Sequence, residues 1–286
     1  MVKGGFVLYN GKFFRADEKL FSGDELFRLE AGIKIWFRTE DNEILFHEQN
    51  YAYLCAATRA INLVLPEDFD LGGARLRRDV SRLLNKNKFY LAGRVVVYLF
   101  PGVNGTDVLL TAEEIPRGFF PMNENGLLID IFNEGRKSDT VMNPYETGSR
   151  FLWLIAAAKA QSLHRQNMIL MNRAGFCCEG IGTSFGYIHE NVLYVPSGKS
   201  EGYRVVLTEM VREAARQAGF MAAEKDEIST SDLEQAEEVF LIDNALGIQW
   251  VLGIGNRRYY STKTFEIVKK LQLMAQNKKA FRNAKG

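Results

Sequence analysis

The sequence has almost no net charge and no long hydrophobic run, and each absence excludes a class of protein. Its 286 residues include 36 basic and 35 acidic side chains, which gives a net charge of +1. Proteins that bind nucleic acid through its phosphates carry a surplus of positive charge, which this chain lacks. No stretch of about 18 uncharged apolar residues occurs, so no membrane-spanning helix is predicted. We expect neither nucleic acid nor a membrane as a partner.

Cysteine is scarce as well. The three cysteines, of which Cys177 and Cys178 are adjacent, are too few for a disulfide framework. Neither a C-x-x-C motif nor a Cys/His cluster at metal-binding spacing is present, so no metal site is predicted. The two adjacent thiols are interpreted as small buried residues of a strand. The N-terminal segment lacks an apolar run followed by a small-residue cleavage site, and we expect a cytoplasmic protein.

The chain does contain enough apolar residues for a large core. With 47% hydrophobic residues, a chain of this length suits two compact lobes or one large domain. Residues 115–126 hold two of the six prolines and two glycines, and this composition is typical of a connecting segment. We therefore predict an N-terminal α/β lobe at residues 1–118 and a C-terminal lobe at residues 119–286.

Apolar periodicity predicts strands and helices in both lobes. In the first lobe, Asn10-Gly11 between apolar pairs favours a type I′ turn and thus a β-hairpin. Further strands are predicted at 33–38, 44–46, 89–100 and 107–111, and helices at 48–63 and 74–85. In the second lobe, strands are predicted at 127–132, 168–171, 176–178, 191–196 and on both sides of 244–246. Its longer helices are predicted at 149–163, with Ser149 as N-cap, at 204–218 and at 264–275. A short helix is predicted to begin at a capping box of Ser231 and Glu234, and the tail after residue 277 is expected to be frayed.

The order of elements from residue 145 to residue 196 resembles that of class IV aminotransferases. A helix is followed by a strand that ends in the Ala174-Gly175 turn, then by the acidic Glu179, a glycine-bracketed loop and a strand with a trailing proline. The Asn-Ala-Leu sequence at 244–246 is most similar to that of the aminodeoxychorismate lyases in this family. The resemblance implies an α+β fold with two lobes and mixed sheets, of the D-amino acid aminotransferase type (fold type IV). It also implies pyridoxal phosphate (PLP) as cofactor, a pocket between the lobes carried by the C-terminal lobe, and a homodimer.

The resemblance assigns three positions of the pocket. Glu146, or Tyr145 if one gap is allowed, stands where the family has the lysine that forms a Schiff base with PLP. Tyr53 stands where the family has an arginine that binds the cofactor phosphate, and it can donate a hydrogen bond but carries no charge. Glu179 stands where a glutamate contacts the pyridine nitrogen and keeps it protonated.

Further cofactor contacts are implied on both sides of these positions. Thr183 and Ser184 follow Glu179 in the loop where the family has small hydroxyl residues and an asparagine. Asn244 would face the phosphate. The family binds that phosphate at the start of a helix with a Gly-x-Thr-Arg motif. Gly202 and Arg204 lie near that motif but out of register with it.

Three functions are compatible with this pattern. In the first, the protein derives from an enzyme, has a degenerate PLP site impaired in transamination, and binds a small amino acid-like ligand, because a lysine is needed to hold the aldehyde and to move the proton. In the second, it is an active PLP-dependent aminotransferase or aminodeoxychorismate lyase-type enzyme that uses another lysine, such as Lys137 or Lys159. In the third, Glu146 and Glu179 act as a carboxylate pair, one as acid and one as base.

Overall fold

The computed structural model describes residues 2–69, 72–147 and 150–283. The chain divides into two compact units, residues 1–119 with 145–149, and residues 120–144 with 150–286. Nothing in the sequence indicated that the short segment 145–149 packs with the first unit. The sequence-based division into residues 1–118 and 119–286 stays a prediction. Among the described residues, no helix has both the length and the apolar composition needed to cross a membrane.

The first unit contains a seven-stranded sheet whose main path has the order β3-β2-β7-β6-β4-β5, with β1 beside β7. Its strands are β1 (Val2–Lys3), β2 (Phe6–Tyr9), β3 (Lys12–Arg15), β4 (Ile33–Glu40), β5 (Glu43–Ile44), β6 (Ala92–Gly102) and β7 (Gly105–Glu114). All their pairings are antiparallel. The predicted hairpin is confirmed, since Asn10 and Gly11 have φ of 47° and 78°, the positive values that a type I′ turn requires.

The helices of the first unit are α1 (Gly23–Glu30), α2 (His47–Ala60) and α3 (Ala74–Asn87). Ile33, Ile35 and Phe37 alternate along β4 and are buried, as the period of a strand predicts. They belong to a core that also contains apolar residues of α2 and α3. Helix α1 was not predicted, although its signal is present in the sequence. Ser22 and Glu25 form a capping box at its start.

The second unit contains a nine-stranded sheet whose main path has the order β10-β9-β8-β15-β14-β11-β12-β13, with β16 beside β15. Its strands are β8 (Leu127–Ile131), β9 (Asn167–Met171), β10 (Cys177–Gly180), β11 (Ser184–His189), β12 (Val192–Pro196), β13 (Met221–Lys225), β14 (Glu238–Asp243), β15 (Gly247–Ile254) and β16 (Arg257–Arg258). Strand β8 is parallel to β9 and β15, and β12 is parallel to β13, while the other pairs are antiparallel. The sheet is therefore mixed, and the predicted α+β class is confirmed.

The helices of the second unit are α4 (Phe151–Ser162), α5 (Leu207–Gln217), α6 (Thr230–Gln235) and α7 (Thr262–Asn283). Ser149, the predicted N-cap of α4, lies outside the described residues. Helix α5 begins three residues later than predicted because the preceding segment is held elsewhere. The Arg204 N–H donates to the Pro144 carbonyl at 3.0 Å, and Gly202 packs so closely that a Cβ there would lie 2.1 Å from the Cys178 carbonyl oxygen.

The predicted ends of α6 and α7 are wrong. The capping box of α6 joins Ser229 and Asp232, whereas Ser231 lies inside the helix. Both serines are followed three residues later by an acid, so the local pattern fits either start. Helix α7 continues to Asn283 rather than ending near residue 275. Most residues in this extension, including lysine, alanine and glutamine, have good helix propensity, which outweighs the weak apolar pattern there.

Candidate functional site

Glu179 has a fully buried carboxylate with hydrogen bonds to both oxygens. The residue lies on β10, just before a turn in which the Gly180 N–H donates to the Thr183 carbonyl at 2.9 Å, and its side chain has no solvent exposure. Its Oε1 accepts a hydrogen bond from the indole N–H of Trp153 at 2.7 Å. Its Oε2 accepts hydrogen bonds from the ammonium group of Lys137 and the backbone N–H of Tyr203. A buried charge requires such partners.

Lys137 reaches Glu179 from the loop that follows β8. Its ammonium group also donates to the carbonyl of Asn143 at 3.1 Å, so it connects a second part of this loop to the carboxylate. The negative charge of Glu179 acts on its neighbour as well: burial, followed by the charge of Glu179, raises the pKa of the Cys178 thiol well above its ordinary value. Cys177 and Cys178 are both buried on a strand, as predicted.

Trp153 reaches Glu179 from α4. Its indole ring meets the ring of Tyr203 edge to face, with a centroid distance of 5.4 Å and an interplanar angle of 72°, a favourable geometry for two aromatic rings. It also packs against the apolar cluster that contains Phe132. The sequence assigned no role to Trp153 or Tyr203, because a single tryptophan on an apolar helix carries no signal for a hydrogen bond to a distant acid.

Glu146 belongs to the first unit, where its side chain is buried and ion-paired. Its carboxylate lies 3.1 Å from the ammonium group of Lys34 on β4, and its exposed fraction is 2%. The Lys34 N–H also donates to the Glu146 carbonyl at 2.8 Å, and Thr147 forms a bridge with Ile33. The segment that carries Glu146 thus lies along β4 as an additional antiparallel contact.

Lys34 lies beside a row of aromatic and cationic side chains. Its ammonium group is 4.6 Å from the centroid of the Trp36 ring and 5.8 Å from that of Tyr98. The guanidinium of Arg94 lies 3.7 Å from the same Trp36 ring. Cations placed over aromatic faces are stabilised by the ring quadrupole. No sequence signal connected Lys34 with Glu146.

Tyr53 also belongs to the first unit. It lies on α2, packs against the apolar core of that unit, and its ring centroid is 5.5 Å from that of Tyr145 at an angle of 55°. Tyr145, the alternative for the Schiff-base position, is thus an aromatic packing partner of Tyr53. Neither side chain carries a positive charge for a phosphate.

Asn244 lies in the turn between β14 and β15 and contacts the start of α5. Its side-chain Oδ1 accepts a hydrogen bond from the N–H of Leu207, the first residue of that helix, at 3.1 Å. The first N–H groups of a helix have no partner within the helix and attract anions. At α5, the side-chain oxygen of Asn244 therefore takes the place of an anion as the hydrogen-bond acceptor of the Leu207 N–H.

Ser184, Gly202 and Arg204 line a cavity of about 200 Å³ in the second unit, beside the start of α5. Glu209 and Glu224 line the same cavity, so its charge is mixed. The hydroxyl of Thr183 is buried and has no hydrogen-bond partner among the described residues. Of the predicted cofactor contacts in this loop, Ser184 therefore lies close to the start of α5. Arg204 is exposed.

The two alternative lysines are both in ion pairs. Lys137 contacts Glu179, and the ammonium group of Lys159 on α4 contacts the carboxylate of Glu134. The structure brings Glu179, Lys137 and Trp153 together within the second unit. Glu146 belongs to the first unit, and its predicted approach to Glu179 stays a prediction. The described residues contain no group of three or more His, Cys, Asp or Glu side chains placed to hold a metal ion.

Comparison with known protein families shows to which family the chain belongs. The family described as amino-transferase class IV matches residues 36–254, which is more than half of the chain. The chain belongs to the class IV aminotransferase family. This membership agrees with the predicted resemblance. Comparison of this class IV protein with curated proteins gives no match.

Solved structures of class IV aminotransferases share the fold of this chain. A branched-chain aminotransferase from Thermoproteus uzoniensis with norvaline has a TM-score of 0.82 at 18% identity, covering 96% of this chain and 95% of that one. The branched-chain amino acid aminotransferase from Escherichia coli has a TM-score of 0.79 at 18% identity, with coverages of 93% and 92%. A hypothetical aminotransferase from Mycobacterium tuberculosis in its PLP-bound form has a TM-score of 0.80 at 17% identity, with coverages of 94% and 98%. At these identities the likeness shows the fold.

Proposed function

We propose that this member of the class IV aminotransferase family has a degenerate PLP site and does not catalyse transamination. The observation that carries the proposal is the ion pair between Glu146 and Lys34, at 3.1 Å. Glu146 stands at the position that the resemblance gives to the Schiff-base lysine, and a carboxylate cannot condense with an aldehyde. An amine is needed there both as nucleophile and as proton carrier.

The contacts in the second unit support the proposal, because the side chains at the implied cofactor positions do not fit PLP. The Glu179 carboxylate, which would face the pyridine nitrogen, has no solvent exposure and already accepts hydrogen bonds from Trp153, Lys137 and Tyr203. The Leu207 N–H, which would face the phosphate, donates to Asn244. These groups are satisfied by the chain itself.

The other two functions receive less support. An active PLP enzyme would have to use another lysine, and Lys137 and Lys159 are held in ion pairs with Glu179 and Glu134. A carboxylate pair would require Glu146 and Glu179 to act on one substrate, whereas each is paired with a lysine of its own unit. The buried hydroxyl of Thr183 has no hydrogen-bond partner in the described part of the chain, which supports a small ligand rather than a particular reaction.

The same proposal includes a cytoplasmic homodimer that binds an amino acid-like ligand. The Thermoproteus uzoniensis structure contains norvaline, which supports that class of ligand. For the dimer, we propose an interface on apolar surface of the first unit. Phe27 on α1 is 79% exposed, and large apolar side chains of this kind are enriched in interfaces.

The experiment is an absorbance scan of the purified protein before and after mixing with PLP, followed by borohydride reduction and peptide mapping. We expect no new visible band in the purified protein and no stoichiometric reduced adduct on any lysine. Glu146→Gln is the matched control, because it removes the charge of Glu146 without adding an amine. A one-to-one adduct on Lys34, Lys137 or Lys159 of the unmodified protein would refute the proposal and favour an active PLP enzyme.

A further inference from the structure

The indole of Trp153 meets the Glu179 carboxylate as a planar aromatic ring that donates one N–H. The N–H···O distance is 2.7 Å, in the range of a hydrogen bond to a charged acceptor. A protonated pyridine ring presents the same group, an N–H in the plane of an aromatic ring. The two rings therefore compete for the same carboxylate.

The indole is held in this position from several sides. Tyr203 contributes both its ring, 5.4 Å from the indole, and its backbone N–H, which donates to the other oxygen of Glu179. Lys137 balances the charge of the same carboxylate. Because the carboxylate has no solvent exposure and its Oε1 accepts the indole N–H, a ligand ring can pair with this oxygen only after the indole has moved away.

We propose that the indole of Trp153 occupies the position beside the Glu179 carboxylate that the pyridine ring of a cofactor would take, and that it excludes pyridine-type ligands from this carboxylate. The inference rests on the proposed function, since it concerns the site that the class IV resemblance gives to the cofactor. It adds a specific cause of exclusion, which is independent of the missing lysine at position 146. Removal of the indole opens a ring-sized space beside a buried carboxylate.

The test uses pyridoxine, which has the pyridine ring but neither aldehyde nor phosphate, and calorimetric titration of four proteins. Trp153→Ala is expected to bind pyridoxine at least tenfold more tightly than the unmodified protein. The same variant with Glu179→Gln should lose this gain, because the amide oxygen carries no negative charge and its hydrogen bond to a protonated ring nitrogen is weaker than that of a carboxylate. Trp250→Ala is the matched control, since the indole N–H of Trp250 donates to the Asn123 carbonyl at 2.9 Å rather than to a carboxylate.

A second measurement needs no substitution. In the protein labelled with ¹⁵N-tryptophan, the indole N–H of Trp153 should exchange slowly with solvent and should not shift when millimolar pyridoxine is added. Equal pyridoxine affinities for the unmodified protein and Trp153→Ala would overturn the inference, as would a gain that survives Glu179→Gln or displacement of the Trp153 signal by pyridoxine. Pyridoxine cannot form an imine, so these outcomes are separate from the lysine adduct that would refute the proposed function.

Discussion

The ammonium group of Lys34 lies 3.1 Å from the carboxylate of Glu146, and the backbone of the same two residues is joined by a hydrogen bond of 2.8 Å. The glutamate is buried, and the lysine has a side-chain exposed fraction of 15%. A buried carboxylate without a counter-charge is costly, so the pair makes an acidic residue tolerable at this position. The ion pair thus fixes a segment for which the family resemblance implies a catalytic lysine.

The first prediction concerns this pair. Lys34→Met should lower the free energy of unfolding by about 3 kcal/mol, because loss of one partner leaves a buried charge whose cost is typically about 3–5 kcal/mol. Urea denaturation followed by circular dichroism measures the change. The double variant Lys34→Met with Glu146→Gln should recover part of the loss, since it removes both charges. If the double variant is as unstable as the sum of the single variants, the two residues are not coupled.

The second prediction concerns restoration of cofactor affinity. On a Trp153→Ala background, in which the indole no longer occupies Glu179, the variant Glu146→Lys with Tyr53→Arg should bind PLP at least about tenfold more tightly than Glu146→Lys alone, a difference of about 1.4 kcal/mol. The reason is that an arginine adds charge-assisted hydrogen bonds to the phosphate, each worth about 1.5–3 kcal/mol. Absorbance titration gives both affinities, and Tyr53→Phe on the Glu146→Lys background is the control. Equal affinities would show that Tyr53 does not occupy the phosphate position.

The third prediction distinguishes two serines of α6. Ser229→Ala should destabilise the protein by about 1 kcal/mol, because the Ser229 hydroxyl accepts a hydrogen bond from the backbone N–H of Asp232 at the start of the helix. Ser231→Ala, a matched change two residues later and inside the same helix, should be neutral or slightly stabilising, since alanine has the higher helix propensity. Thermal denaturation of both variants tests the assignment. A larger loss of stability for Ser231→Ala than for Ser229→Ala would instead support the capping box of Ser231 and Glu234 that the sequence predicts.

The fourth prediction concerns alkaline pH. Burial raises the pKa of the Cys177 thiol from its ordinary value of 9.0 to about 12. The folded state therefore holds this proton at a pH where the unfolded chain has lost it, and its stabilising effect is complete below pH 9 and declines as the pH rises toward 12. Cys177→Ala should flatten the fall in unfolding free energy over this interval. A slope for Cys177→Ala equal to that of the unmodified protein would contradict the prediction.

Local signals explain why part of the fold could be predicted. The hairpin at Asn10-Gly11 depends on two residues that adopt positive φ, and adjacent positions in the sequence contain that information. The same holds for the alternation along β4. Helix α1 has an equally local signal, the capping box of Ser22 and Glu25, which the sequence-based prediction did not use. The start of α5 depends instead on a hydrogen bond from the backbone N–H of Arg204 to the carbonyl of Pro144, which no local pattern indicates.

The candidate site was less predictable because its contacts join distant parts of the chain. The resemblance indicated Glu179 and Asn244, and the structure gives each a hydrogen-bonded environment within the second unit. Trp153 and Lys34 were not found, since a tryptophan on an apolar helix and a lysine on a strand are ordinary sequence features. Their partners become evident only when the chain is folded. Hydrogen bonds between side chains far apart in sequence leave no periodic pattern.

Residues 145–149 complete the first unit, although the chain reaches them only after residues 120–144 of the second unit. During synthesis at about 5–20 residues per second, the first unit therefore has to wait roughly a few seconds after residue 119 for its last segment. Until then Lys34 has not met the Glu146 carboxylate, and Ile33 has not met Thr147. A gene fragment that stops at codon 119 specifies an unfinished unit. Because the chain returns in this way, no single cut separates the two units into independently expressed halves.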